Sequence, residues 1–425
     1  MRDPYPRIVE RLLDRELLPA FPALLLVGPR GTGKSTSAAR FASTIIDLSV
    51  PGPRISARQD PDGLLASASG TIVIDEWQEA PEILGAVKRR VDAEPSDTVN
   101  RIILTGSVRA AHQTTTWPGT GRLIRVRMWG LTQGEIEHDH TYNPIEQLFA
   151  PPQLFSQSHL SSASVPPLGG PCNLTRSDYI QRIVAGRFPY IQEMSDRNRS
   201  RWFASYVEQL AEFDAPQVAV GTPRPTKLRS VLTSCAARTG QVLNQAATAR
   251  DAGVTSITAE AHLRLLEDLS IVVRLPAWHS KRLYRLTRSP KVHIADPGLA
   301  AHLMNTNETH LAQDATLVGQ LFETFVLSEL LPHLEAVSTT TEMFHFRDHA
   351  GREVDFIVER GGQIVGLEVK SSTKVGRQDA KSLLWLRDQL GDRFHLGAVL
   401  YAGQFPFRIS DRIWALPLGA LWRPV

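Results

Sequence analysis

The sequence predicts an α/β protein in three units, with an α/β unit at each end and a helical unit between them. Three observations predict it. The apolar runs ALLLVG (23–28), GTIVIDE (70–76) and NRIILTGS (100–107) are each followed by a helical or loop segment, as in parallel sheets with crossover connections. Residues 150–171 carry no Asp, Glu, Lys or Arg and are rich in Pro, Ser and Gly, the composition of a linker. After a helix around Glu323, the runs FHFRD, EVDFIVER, QIVGLEVKSS and HLGAVLYAG supply strands to a second sheet. The expected division is 1–148, a linker at 149–173, a helical region at 174–308 and a closing α/β unit at 309–425. The length of 425 residues agrees with it, at roughly 150 residues per domain.

Residues 1–20 read as an amphipathic helix, because Ile8, Val9, Leu12, Leu13 and Leu17 recur at helical spacing. Hydrophobic residues at 42% and charged residues at 21% exclude a largely disordered or collagen-like chain. Lys and Arg total 47 against 44 acids, a formal +3, so any basic surface must be local. The two cysteines, Cys172 and Cys235, have no CxxC spacing, which excludes a disulfide framework and a cysteine-based zinc site. The charged start and the lack of a long apolar run predict a cytoplasmic protein with no membrane partner.

Gly28-Pro29-Arg30-Gly31-Thr32-Gly33-Lys34-Ser35-Thr36 matches GxxxxGK[ST] between an apolar strand and a helix-like segment. Glycines let backbone N–H groups turn inward around phosphates, Lys34 adds charge at the terminal phosphates, and the Ser35 hydroxyl suits Mg²⁺. Arg30 is the weakest of these candidates. The strand before Asp75-Glu76 places Asp75 near the metal shell and Glu76 where it can polarise a water attacking the γ-phosphate. Thr105 and Ser107, at the end of the next apolar run, could orient that water. Arg109 or Arg122 could serve as an arginine finger, with Arg122 preferred. These residues predict binding of ATP with Mg²⁺, and hydrolysis.

In the last unit, Asp355 lies on one strand and Glu368 and Lys370 share a face of the next, a D…ExK constellation with Glu323 as a fourth member. Two carboxylates can hold a hard cation while an ammonium positions a water against a phosphodiester. The same pattern also fits a cross-strand ion pair. Residues 242–278 read as helix, turn at Gly253, second helix and β-wing. Arg274, Lys281, Arg282, Arg285, Arg288 and Lys291, interleaved with Trp278 and Tyr284, follow without any intervening acid. Such a wing could neutralise DNA phosphates or simply pack between domains. Thr258–Leu269 would be the recognition helix, offering chiefly His262 and Arg264.

LLLVGPRGTGKST, IVIDEWQEAPEIL, RIILTGSVR and GTGRLIRVRMWGLTQGEI, in this order, resemble the prokaryotic AAA-type ATPases whose C-terminal half is a separate domain of unknown function. RSDYIQRIVAGRFP, GQVLNQAATARDAGV, KVHIADPGLAAHL, GQLFETFVLSELL and the D…ExK segment extend the likeness over nearly the whole chain. The resemblance implies an AAA-type P-loop ATPase domain, a winged-helix domain and a C-terminal restriction-endonuclease-like α/β domain. The function expected is an ATPase coupled to a DNA-associated C-terminal half. The alternatives are a nucleotide-gated DNA- or protein-binding regulator with a silent nuclease-like domain, and an ATP-assisted, metal-dependent nuclease. A homo-oligomer or a protein partner is compatible with each.

Overall fold

The computed structural model describes residues 5–93, 101–106, 123–150, 168–218, 223–285 and 288–423. The first sheet is built from β1 (Ala23–Val27), β2 (Thr44–Asp47), β3 (Ile72–Asp75), β4 (Ile102–Thr105) and β5 (Leu123–Arg127). All neighbours are parallel and the order is β2-β3-β4-β1-β5. β1 is buried along its whole length, which its unbroken Ala-Leu-Leu-Leu-Val run permits. Leu24 and Leu26 face Val9, Leu12 and Leu13 of the N-terminal helical segment, while Leu25 and Val27 share a core with Ile83, Leu84 and Val87. That N-terminal segment runs from Ile8 to Ala20, with a π-helical turn at Leu13–Leu17. β4 lies between β1 and β3, so the phosphate loop after β1 and the acids after β3 open at one end of the sheet.

The middle unit begins with helices Arg176–Ala185, Asp196–Gln209 and Pro225–Ala236, the second extended by a π-helical turn at Leu210–Asp214. After the third come β6 (Gln241–Val242), helices Gln245–Asp251 and Ser256–Asp268, β7 (Val272–Leu275) and β8 (Lys291–Ile294). These strands form an antiparallel sheet ordered β6-β8-β7. β7 and β8 pair antiparallel where a β-wing was expected, and their connection includes a helical turn at Arg282–Arg285.

The last unit opens with helix Ala315–Glu335, followed by β9 (Thr341–Arg347), β10 (Glu353–Arg360) and β11 (Gln363–Lys370). Helix Lys381–Leu390 leads to β12 (Phe394–Tyr401), β13 (Phe407–Ser410) and β14 (Ile413–Pro417). The mixed sheet is ordered β13-β14-β12-β11-β10-β9, parallel across β11-β12 and β12-β14 and antiparallel elsewhere. Helix Ala315–Glu335 buries thirteen of its residues, mostly apolar but including Glu323 and Glu329. It therefore takes part in a core that extends from Ile145 through Tyr179, Phe203 and Leu266 to Val365, Leu416 and Trp422. No helix among the described residues is long and apolar enough to cross a membrane.

One ion pair ties the three units together. Arg187, 1% exposed, meets Glu329 of the long helix at 2.5 Å, and its Nη atoms donate to the carbonyls of Leu131 and Phe325. Glu329 accepts in addition from the Gln133 backbone N–H, and Asp296 accepts from the Arg187 backbone. Breaking such a pair leaves an uncompensated buried charge. Arg187→Ala should lower the unfolding free energy by about 3–5 kcal/mol in chemical denaturation. A loss below about 1 kcal/mol would mean that the pair is not a structural tie.

Candidate active site

The nine loop residues 28–36 wrap the end of β1. Gly28 has φ +143, and a Cβ there would lie 2.0 Å from the Met128 carbonyl oxygen, so this position must be glycine. Gly33, at φ 92, turns the chain into helix Lys34–Ala39. The loop is held from behind by Arg7, which is 4% exposed. Its guanidinium donates to the Thr32 and Trp129 carbonyls and pairs with Glu135 at 3.1 Å. Thr32 is buried, its hydroxyl donating to Pro29, whereas Ser35 and Thr36 remain exposed at the mouth.

Lys34 folds over the loop, with Nζ 3.0 Å from the Gly28 carbonyl and 2.9 Å from that of Pro29. Burial pulls its ammonium down to about 8, opposed by the Glu76 and Asp75 carboxylates and assisted by Arg30. Asp75 Oδ1 accepts from the Ser35 hydroxyl at 2.8 Å and also from Thr105. Glu76 follows in a left-handed conformation, φ 52, and its carboxylate accepts from Gln78. A hydroxyl and a carboxylate at hydrogen-bond distance, beside an inward-turning loop, suit the hard oxygen shell of Mg²⁺ on a polyphosphate. Ser35 and Asp75 would hold the ion, and residues 28–36 the phosphates.

The middle unit roofs this loop. Asp214, 6% exposed at the end of the π-helical turn, pairs with Arg30 at 2.8 Å, and the Tyr206 hydroxyl donates to the Arg30 carbonyl at 3.2 Å. Trp202 and Phe188 lie beside Gly31. Burial raises the Asp214 carboxyl above its ordinary range, Arg30 opposing and Glu76 adding to the shift. Arg30 is thus engaged with a neighbouring unit as well as forming part of the loop. Ser107, Arg109 and Arg122, expected near the transferred phosphate, lie outside the described residues.

Glu323, Asp355, Glu368 and Lys370 come together as the strand pattern implied. Phe356 pairs with Leu367, and Asp355 and Glu368 lie immediately beyond this last paired rung. Lys370 Nζ is 2.6 Å from Glu368 Oε1, and Asp355 Oδ2 accepts from the Val369 backbone at 2.9 Å. Burial, then Asp355, raises the Glu368 carboxyl to about 8, against the pull of Lys370. The sequence pattern missed Lys291, whose Nζ contacts Glu323, Glu353 and Asp355. Among the described residues, no group of three or more His, Cys, Asp or Glu stands ready to hold a metal ion.

Three cations of the basic wing expected to face DNA, Arg274, Arg285 and Lys291, are paired with acids from within the fold. Arg274 pairs with Glu260 and Glu267, Arg285 with Glu359, and Lys291 is 1% exposed. Arg288 donates to the Arg347 carbonyl. Trp278 is buried with its indole N–H on Glu359, and His262 is 7% exposed, which removes them from base stacking and base reading. Lys281 remains exposed, beside the Tyr284 ring. The acids responsible lie on helix Ser256–Asp268 and β10, outside the stretch in which the cations cluster.

The parallel sheet, the glycine loop and the acid pair support a P-loop ATPase fold for the first unit. Residues 20–137 match the family described as an AAA domain. Residues 176–310 match Domain of unknown function (DUF8612), and 318–421 match Domain of unknown function (DUF4143). Uncharacterized proteins of Mycobacterium bovis and Mycobacterium tuberculosis are each 27% identical over 418 residues, covering 95% of this chain and 81% of their own. Two solved structures of Thermotoga maritima RuvB, one a variant and one described as a Holliday junction branch migration motor, are each 14% identical with a TM-score of 0.27. They cover 66% of this chain and 91% and 94% of their own chains, respectively.

The lowered Lys34 ammonium has a measurable consequence. A triphosphate favours the charged lysine, so binding near pH 8 should take up a proton, and affinity should fall as pH rises through about 8. Calorimetry of ATP binding in buffers of different ionisation heat checks both. Affinity that is flat from pH 7 to 9, with no proton uptake, would exclude this role for Lys34.

Proposed function

We propose that this protein binds ATP with Mg²⁺ at residues 28–36 and hydrolyses it. The observation that carries the proposal is the contact of the Ser35 hydroxyl and Asp75 carboxylate, with Glu76 next in the chain and Lys34 within its field. In this reading, backbone N–H groups of the loop bind phosphate oxygens and Lys34 leaves the Gly28 and Pro29 carbonyls for the terminal phosphates. Ser35 and Asp75 orient Mg²⁺, which supplies positive charge to the phosphates when bound. Glu76 leaves Gln78 and accepts a proton from the attacking water. Asp214 near the loop is a like charge to the incoming phosphates, so occupancy loosens the Arg30–Asp214 contact and the helical unit senses it.

The order helix, strand, helix, helix, strand, strand in the middle unit supports a winged-helix reading. The long helix, three antiparallel strands, second helix and parallel strand that follow support a restriction-endonuclease-like one. Of the activities open to such a chain, a nucleotide-gated regulator is favoured over a DNA-stimulated motor or a nuclease. Two of the wing's six cations, Arg274 and Arg285, are paired with Glu260, Glu267 and Glu359, and Lys370 is bound to Glu368.

Lys34→Ala should abolish ATP binding by calorimetry. Glu76→Gln should keep binding while turnover drops roughly 100- to 10,000-fold in a phosphate-release assay; full turnover in either variant would refute the assignments. Duplex DNA should leave the wild-type hydrolysis rate unchanged at physiological salt, and a several-fold stimulation would return the DNA-associated reading to first place.

A further inference from the structure

We infer that the cleft between the N-terminal helical segment and residues 140–147 is a binding site for a small monocarboxylate with an apolar body. The cleft has a volume of about 500 Å³ and reaches Ala336 and Ser338, just beyond the long helix. Its helical wall presents two kinds of side chain. Ile8 and Leu12, one turn apart and both buried, give apolar surface, while Arg11 and Arg15 give guanidinium groups. Arg11 uses one Nη on the Thr141 carbonyl at 2.6 Å. Arg15 is exposed and makes no hydrogen bond or ion pair among the described residues. Across the cleft, His140 keeps Nδ1 buried and without a hydrogen-bond partner. Tyr142 contributes its ring, its hydroxyl being committed to the Ala420 carbonyl at 3.1 Å.

The charges of the lining select the ligand. Glu146 is answered outside the cleft, since Arg360 donates to both of its oxygens, at 2.7 and 3.3 Å. Among the permanently charged groups there remain Arg11 and Arg15 against Glu16, an excess of one positive charge. Glu16 directly follows Arg15, and adjacent residues of a helical segment point apart, so it does not cancel the guanidinium beside it. A single carboxylate balances this excess and matches the planar fork of an arginine, whereas a phosphate monoester brings a second negative charge. An apolar body would displace water from Ile8, Leu12 and the Tyr142 ring. A polar group on that body would answer His140 Nδ1. No lining residue belongs to the phosphate loop, so this is a second, separate site.

The test is a saturation-transfer NMR titration of the full-length protein with 1-naphthylacetate, which should bind saturably with a millimolar or tighter dissociation constant. The neutral 1-naphthylacetamide, of the same shape, should bind at least about fivefold more weakly, and 1-naphthyl phosphate should bind no better than the carboxylate. Arg15→Gln, which removes an exposed and unbonded side chain, should weaken 1-naphthylacetate at least about fivefold, and Arg11→Gln combined with it should abolish binding. If the double variant fails to fold, Arg15→Gln alone decides. Lys34→Ala should retain the binding, which separates this site from the nucleotide reading. No saturation by about 20 mM, equal binding of the amide, tighter binding of the phosphate, or binding lost in Lys34→Ala but kept in Arg15→Gln each overturn the inference.

Discussion

The architecture depends on one guanidinium removed from water. Arg187 is charged, 1% exposed and surrounded by groups contributed from all three parts of the chain: the Leu131 carbonyl, its own unit's Asp296, and Glu329 with Phe325 on the long helix. Desolvating an arginine is costly, and the Glu329 carboxylate offsets that cost. Gln133, two residues beyond Leu131, gives its backbone N–H to the same carboxylate. The segment 131–135 is consequently a junction: Glu135 closes a capping box with Thr132 on one side and grips Arg7 on the other. Arg7 in turn supports the Thr32 carbonyl, so the back of the phosphate loop and the tie at Arg187 are linked through five residues of backbone.

The loop therefore has a rigid rear wall and a separable front. Behind it stand the Met128 carbonyl and the Arg7 guanidinium, neither of which can yield without disturbing the sheet. In front, Asp214 and Tyr206 belong to a different unit and reach only Arg30. A negatively charged ligand entering this space would meet the loop on one side and the Asp214 carboxylate on the other.

The phosphate loop was legible because its information is local: Gly28, Gly33 and Lys34 carry backbone and charge requirements within a few residues of a strand and a helix. Asp355, Glu368 and Lys370 were legible for a related reason, since strand alternation fixes which side chains share a face. Asp214, Arg187 and Lys291 were not, as each acquires its meaning from a partner distant in the chain and none sits in a recognisable spacing. The pairing of several wing cations was hidden for the same reason. Six cations without an acid among them look like a phosphate-binding surface until folding brings Glu260 and Glu267 against Arg274, Glu359 against Arg285 and Glu323 against Lys291. Local charge density measures surface potential only when the opposing acids are near in sequence as well as in space.

The π-helical turn at Leu210–Asp214 gives the front wall a particular sensitivity to length. A π turn holds one residue more than the α turn it interrupts, and each residue of an α-helix advances the azimuth by about 100°. Loss of one residue ahead of Asp214 would let the segment relax to ordinary helical winding and change the direction of the carboxylate relative to Arg30, with its chemical identity untouched. The contact between the helical unit and the phosphate loop thus depends on the spacing of this turn as much as on the acid at its end. Relatives that shed the extra residue would be expected to have uncoupled the two.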